Sequence, residues 1–131
     1  MNPADYTIVV AEDEEASRFL YEEELGEVGY RVLSAENGLQ VLGYLEDEKV
    51  DLLLTDVKMP DMNALELIPR VRAEFHDLPI LVVSAFKAME NEMSLKDANI
   101  SGFFAKPVNL DALRFKVKEI LEKREPKRKR P

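Results

Sequence analysis

Cysteine is absent from this chain of 131 residues, which removes disulfides and thiolate metal sites and leaves a reducing compartment permitted rather than required. No apolar run exceeds about six residues, far below the ~20 needed to span a bilayer. The N-terminus, Met1-Asn2-Pro3-Ala4-Asp5, lacks the basic region and apolar stretch of a signal peptide, so a cytoplasmic location without membrane contact is expected. Also missing is a glycine-rich loop after the first apolar run, where a flavin- or nucleotide-binding module would cradle phosphate with backbone N–H groups. Glu12-Asp13-Glu14-Glu15 stands there instead, and such a loop repels phosphate unless a metal intervenes.

The composition that is present, 46% apolar and 34% charged, describes one soluble globular domain able to bury a core. Its net charge of −8 is unevenly spread. Residues 123–130 hold six of the 18 basic residues and one acid, Glu125, leaving 12 basic against 25 acidic residues, or −13, on residues 1–122. That acidic body argues against nucleic acid binding by the domain itself. The expected organisation is a domain over 1–122 followed, at 123–131, by a solvated basic tail or the start of a linker.

Strand-like apolar runs end near residues 11, 34, 55, 83 and 105, a spacing that fits one strand plus one helix each, and no tight hairpin signal joins them. The helical pattern over 14–27 carries Ala16, Phe19, Leu20 and Leu25 and stops at Gly26 or Gly29. The next follows Asn37-Gly38 with Leu39, Val41, Leu42 and Leu45. A third starts near Asn63, a plausible N-cap, with Leu65, Leu67, Ile68, Val71 and Phe75, and Pro69 inside it predicts a kink. A weaker pattern spans 87–97 with Met89 and Met93, read as core. The last, over 110–123, has Leu110, Leu113, Val117, Ile120 and Leu121, and Pro126 stops it.

Alternation of this kind gives an α/β fold: five parallel strands covered by helices on both faces, a (βα)5 chain. The runs ending at 11, 55 and 83 are continuously apolar and belong at the centre. The alternating 30–34 and the short 102–105 suit the edges. In such sheets ligands bind beyond the C-terminal ends of the strands, where the winding reverses. Glu12, Asp13, Asp56, Ser84 and Lys106 each stand just past, or at, such an end.

Asp56 ends the buried run Leu52-Leu53-Leu54-Thr55, and a lone carboxylate there is costly unless a cation, hydrogen bonds or chemistry compensate it. Three carboxylates on one edge suit a hard divalent cation such as Mg²⁺. Carboxylates are also nucleophiles that form aspartyl phosphates; Lys106 offers a point charge and Ser84 a hydroxyl for phosphoryl oxygens. Taken singly, each residue has a plainer reading. Glu12 and Asp13 favour a helix dipole, Ser84 is a satisfied hydroxyl, Lys106 a surface lysine, Phe103 a core residue, and His76 an exposed loop residue.

In combination, Val9-Val10-Ala11-Glu12-Asp13-Glu14, Leu54-Thr55-Asp56-Val57-Lys58-Met59-Pro60, Val83-Ser84-Ala85 and Phe103-Phe104-Ala105-Lys106-Pro107 resemble, in order and spacing, the receiver domain of two-component response regulators over about residues 5–123. The resemblance implies a flavodoxin-like sheet of order 2-1-3-4-5. It implies Asp56 as phosphoacceptor and Lys106 as the family's lysine. Ser84 and Phe103 correspond to the switch hydroxyl and aromatic, and Mg²⁺ would be held by Glu12, Asp13, Asp56 and the carbonyl of Lys58. Lys58 and Phe86 occupy positions that tune phosphoryl lifetime, with Phe86 expected to screen attacking water. A sensor histidine kinase or histidine phosphotransfer protein is the implied donor. The face built from residues 87–123 would control an output domain or partner, with a phosphorylation-dependent homodimer possible. The domain would catalyse only its own phosphorylation and dephosphorylation.

Several residues depart from the family pattern. Glu12 replaces the commoner Asp, Ser84 Thr, Phe103 Tyr and Ala64 Gly, while Lys106-Pro107 is expected to be cis. An aspartate-dependent phosphatase would need a different acid pattern and a cap domain. A pseudo-receiver, an interaction module working without phosphorylation, is the remaining alternative and would need a broken site.

Overall fold

The computed structural model describes residues 1–85 and 99–124. Phe86, the helical pattern at 87–97 with Met89 and Met93, Pro126 and the basic residues 127–130 lie outside them. A 3-10 turn (Pro3–Asp5) leads into β1 (Thr7–Ala11), α1 (Glu15–Val28), β2 (Arg31–Ala35), α2 (Gly38–Asp47), β3 (Leu52–Asp56), α3 (Ala64–Glu74), β4 (Ile80–Ser84), β5 (Gly102–Ala105) and α4 (Leu110–Glu122). The strands form one parallel sheet in the order β2-β1-β3-β4-β5, with the apolar runs central and the two weaker ones at the edges.

Strand periodicity divides the core between the two faces. Val9, Leu53, Ile80 and Val82 pack under α2 and α3 with Val41, Leu45, Leu67 and Val71. Ile8, Leu52, Leu54, Leu81 and Val83 pack under α1 and α4 with Tyr21, Leu25, Leu113 and Val117. Every residue of β1, β3 and β4 is buried, which is why these strands read as continuous apolar runs. Asn37, Asn63 and Asn109 cap α2, α3 and α4 by accepting from the N–H of Gln40, Glu66 and Ala112 at 2.9, 3.1 and 3.0 Å. Gly29 ends α1 with φ 115°, a conformation that favours glycine.

Two expectations about helix faces need correction. On α1 the inward stripe is Tyr21 and Leu25, whereas Phe19 and Leu20 are 58% and 52% exposed. Phe19 lies two residues before Tyr21, roughly 200° around the helix, so both cannot face the sheet. Leu39 is exposed for the same reason, two residues before buried Val41. Pro69 removes the N–H that would bond to Leu65, yet α3 continues through it from Ala64 to Glu74.

Gly38 opens α2 against the loop that follows β3. A Cβ at this position would sit 2.9 Å from the Cβ and 3.1 Å from the carbonyl oxygen of Met62. Gly38→Ala is therefore expected to cost about 1–3 kcal/mol by overpacking, read as a lower urea midpoint at unchanged m-value.

Candidate functional site

The C-terminal ends of β1, β3, β4 and β5 bring Glu12, Asp13, Asp56, Lys58, Ser84 and Lys106 to the wall of one cleft of about 230 Å3, together with Glu14 and Ala85. Sheet register explains the convergence. Asp56 pairs with Val83, and Ser84 with Ala105, so the residues that end or follow these strands emerge side by side. Lys106 is fixed by its own N–H, which donates to the Ser84 carbonyl at 2.8 Å. The Lys106–Pro107 bond is cis, as expected.

Lys106 is the electrostatic centre. Its ammonium donates to Glu12 Oε1 at 2.6 Å and to Asp56 Oδ2, bridging two carboxylates that are 1% and 5% exposed. The other Asp56 oxygen, Oδ1, accepts from the Lys58 N–H at 3.0 Å. Glu12 Oε2 accepts from the Glu14 N–H at 3.2 Å, and Arg18 holds the Glu12 carbonyl at 2.9 Å. Burial opposes the lysine charge, but the hydrogen bonds to Asp56 and Glu12 outweigh it and raise its pKa above the ordinary lysine value. Burial, opposed by Lys106 and reinforced by neighbouring Asp56, pushes Glu12 up to about 7.

The Glu12 shift gives a testable pH dependence. A carboxyl whose folded pKa is raised contributes stability that is fully present below about 4.5 and is lost as pH rises through about 7. Glu12→Gln keeps an oxygen acceptor for Lys106 without the charge. It is expected to gain on the unmodified chain by up to about 3 kcal/mol between pH 5 and pH 8. Urea unfolding at both pH values checks this; a constant difference would remove Glu12 as the titrating group.

The residues named from the sequence as phosphoryl and metal contacts are therefore gathered in one cleft. Among the described residues no three His, Cys, Asp or Glu side chains form a ready metal group. The Lys106 ammonium links Glu12 with Asp56, and Asp13 is exposed to solvent at the cleft wall. The donor chemistry still suits a hard cation, since every acidic ligand is oxygen. Ser84 is 1% exposed in the cleft wall. Phe103 is half-buried against the α2/α3 side of the core, Ala64 is fully buried at the start of α3, and His76 is exposed. Phe86 lies outside the described residues.

Two site neighbours escaped the sequence reading. Tyr21 lines an adjoining groove with Lys106 and Pro107, and burial pushes its phenol up to about 12. Its signal was the four-residue spacing to Leu25. Glu14 contributes through its backbone N–H, for which side-chain type gives no signal.

Comparison with known proteins gives a consistent result. The sequence model of the response regulator receiver domain matches residues 8–118. Sporulation initiation phosphotransferase F of Bacillus subtilis is 30% identical over 114 residues, 87% of this chain and 92% of that protein. Sensor histidine kinase RcsC of Salmonella typhi is 33% identical over 110 residues, 84% of this chain but 12% of the kinase. Among solved structures, response regulator TrrA of Thermotoga maritima, determined with Mg²⁺ and BeF, superposes with a TM-score of 0.82 at 33% identity, covering 88% of this chain and 99% of that one.

Proposed function

This chain belongs to the response regulator receiver domain family, whose members are phosphorylation-based signalling switches rather than turnover enzymes, and on that premise we propose that Asp56 is its phosphoacceptor. The observation that carries the reading is the Lys106 bridge. A cation already bonded to Asp56 and Glu12 inside a cleft that also holds Ser84 is arranged to meet incoming negative charge.

In the transfer an Asp56 carboxylate oxygen attacks phosphorus as the bond to the donor nitrogen or oxygen breaks. The donor leaves with the electron pair, and an acyl phosphate remains on Asp56. The Lys58 N–H orients the carboxylate through Oδ1. Lys106 pairs with a phosphoryl oxygen in place of Asp56 Oδ2, and the Ser84 hydroxyl donates to another. A bound Mg²⁺ would neutralise phosphoryl charge, with Glu12, Asp13, Asp56 and the Lys58 carbonyl as its protein ligands; that TrrA, 33% identical, was determined in complex with Mg²⁺ and BeF supports the choice of cation. The donor is a histidine kinase or phosphotransfer protein, a reading supported by the presence of a sensor histidine kinase and a phosphotransferase among the relatives.

Readout follows from connectivity. Ser84 ends β4, its carbonyl accepts from Lys106 on the β5 side, and Phe103 lies three residues before Lys106. A shift of Ser84 toward a phosphoryl group therefore biases the Phe103 ring and the β5/α4 face that meets the output partner.

Beryllofluoride with Mg²⁺, a phosphoryl mimic, tests the site without a cognate kinase. The amide signals of Asp56, Lys58, Ser84, Phe103 and Lys106 are expected to shift together. Unchanged spectra at saturating reagent would reduce the domain to a pseudo-receiver.

A further inference from the structure

At the opposite end of the sheet from Asp56, the α2–β3 connection and the end of α3 enclose a second cleft of about 420 Å3. Its floor includes Val50, Phe75 and Leu78, and its rim includes Glu46, Asp47 and Glu74. Glu48 there is taken by Arg31, whereas Glu46, Asp47 and Glu74 enter no ion pair among the described residues. Lys49, in the same wall, offsets one of their charges.

The chain is led to this rim. After α4, the Arg124 carbonyl accepts from the Tyr6 hydroxyl at 3.0 Å, and Arg124 Nη1 donates to the Asp77 carbonyl at 3.0 Å. Asp77 stands between Phe75 and Leu78, two residues of the cleft wall. The sequence then continues Glu125-Pro126-Lys127-Arg128-Lys129-Arg130-Pro131. At about 3.3–3.6 Å per extended residue, its four basic residues reach roughly 10 to 20 Å from Arg124. The Asp77 contact starts that reach beside Phe75 and Leu78 of the cleft wall, whereas the acidic Asp56 cleft lies beyond strands about 17 Å long.

We propose that the basic segment 127–130 docks into the acidic cleft formed by Glu46, Asp47 and Glu74. Opposite charge supplies the attraction, Val50 and Phe75 offer apolar surface to the lysine and arginine stems, and tethering at Arg124 makes the encounter intramolecular. The contact would fix the direction in which any following sequence leaves the domain.

The cysteine-free chain allows a clean test. Pro131→Cys carries a single nitroxide label, and amide signals are compared with the label oxidised and reduced. At low salt, the signals of residues 46–50 and 74–78 are expected to weaken. They should recover at about 1 M salt, where the Debye length is about 3 Å, and in Glu46→Gln/Asp47→Asn/Glu74→Gln. All three substitutions are at exposed positions, and an unchanged urea midpoint verifies the fold. No weakening, weakening that persists in the triple variant, or weakening centred on residues 12–14 and 56–58 would each overturn the proposal.

Discussion

Lys106→Met is expected to destabilise the domain by about 3 kcal/mol at pH 8 and by much less at pH 5. Removing one partner of a buried ion pair costs about 3–5 kcal/mol because the other charge is left uncompensated. The lower end applies because the Lys106 side chain keeps 22% exposure. The pH asymmetry follows from Glu12. With Lys106 present its carboxyl already titrates near 7, and the lysine hydrogen bond is what pulls that value down. Without the ammonium the Glu12 pKa rises further, so the native state retains the proton to higher pH and its stability falls more steeply as pH increases. Urea unfolding at pH 5 and pH 8 measures the effect. An equal loss at both values would mean that Lys106 contributes packing rather than charge.

Magnesium is expected to stabilise the folded chain strongly, by about 2.7 kcal/mol at 100 times its dissociation constant. With the proposed ligand set, the cation would compete with the Lys106 ammonium, which already contacts Glu12 and Asp56. Binding must also displace the Glu12 proton, so the stabilisation at a fixed Mg²⁺ concentration is expected to grow from pH 6 to pH 8. In Asp56→Ala most of it should vanish, because one ligand is lost. Thermal unfolding with and without Mg²⁺ reads both trends. Equal stabilisation of Asp56→Ala would place the cation elsewhere.

Much of this was legible in the chain because burial on two faces leaves a distinctive mark. Leu52-Leu53-Leu54 and Ile80-Leu81-Val82-Val83 are apolar at consecutive positions, which only strands covered on both sides require. Asp56 stood out as a carboxylate closing such a strand, and the residues at neighbouring strand ends then formed a set. Helix phase was harder to read. Phe19, Leu20 and Tyr21 are adjacent and similarly apolar, and what turns Tyr21 inward is the groove above β1 rather than residue type. Asp51 was missed for a related reason. It lies just before β3, fully buried, where it accepts the Thr7 N–H at 2.8 Å, a pairing across 44 residues that no local pattern reports. The Lys106 bridge likewise depends on how far one side chain reaches across three strands. Sequence showed an acidic group and a cation, but not that the cation already joins two of its members.

The phosphoacceptor role of Asp56 is tested most directly by incubating the chain with a small phosphodonor and Mg²⁺ and measuring bound phosphoryl by intact mass, alongside Asp56→Asn. One base- and hydroxylamine-labile phosphoryl group, as an acyl phosphate requires, is expected on the unmodified chain, lost when Mg²⁺ is chelated, and none on Asp56→Asn. Equal uptake by Asp56→Asn, or no uptake by the unmodified chain, would contradict it.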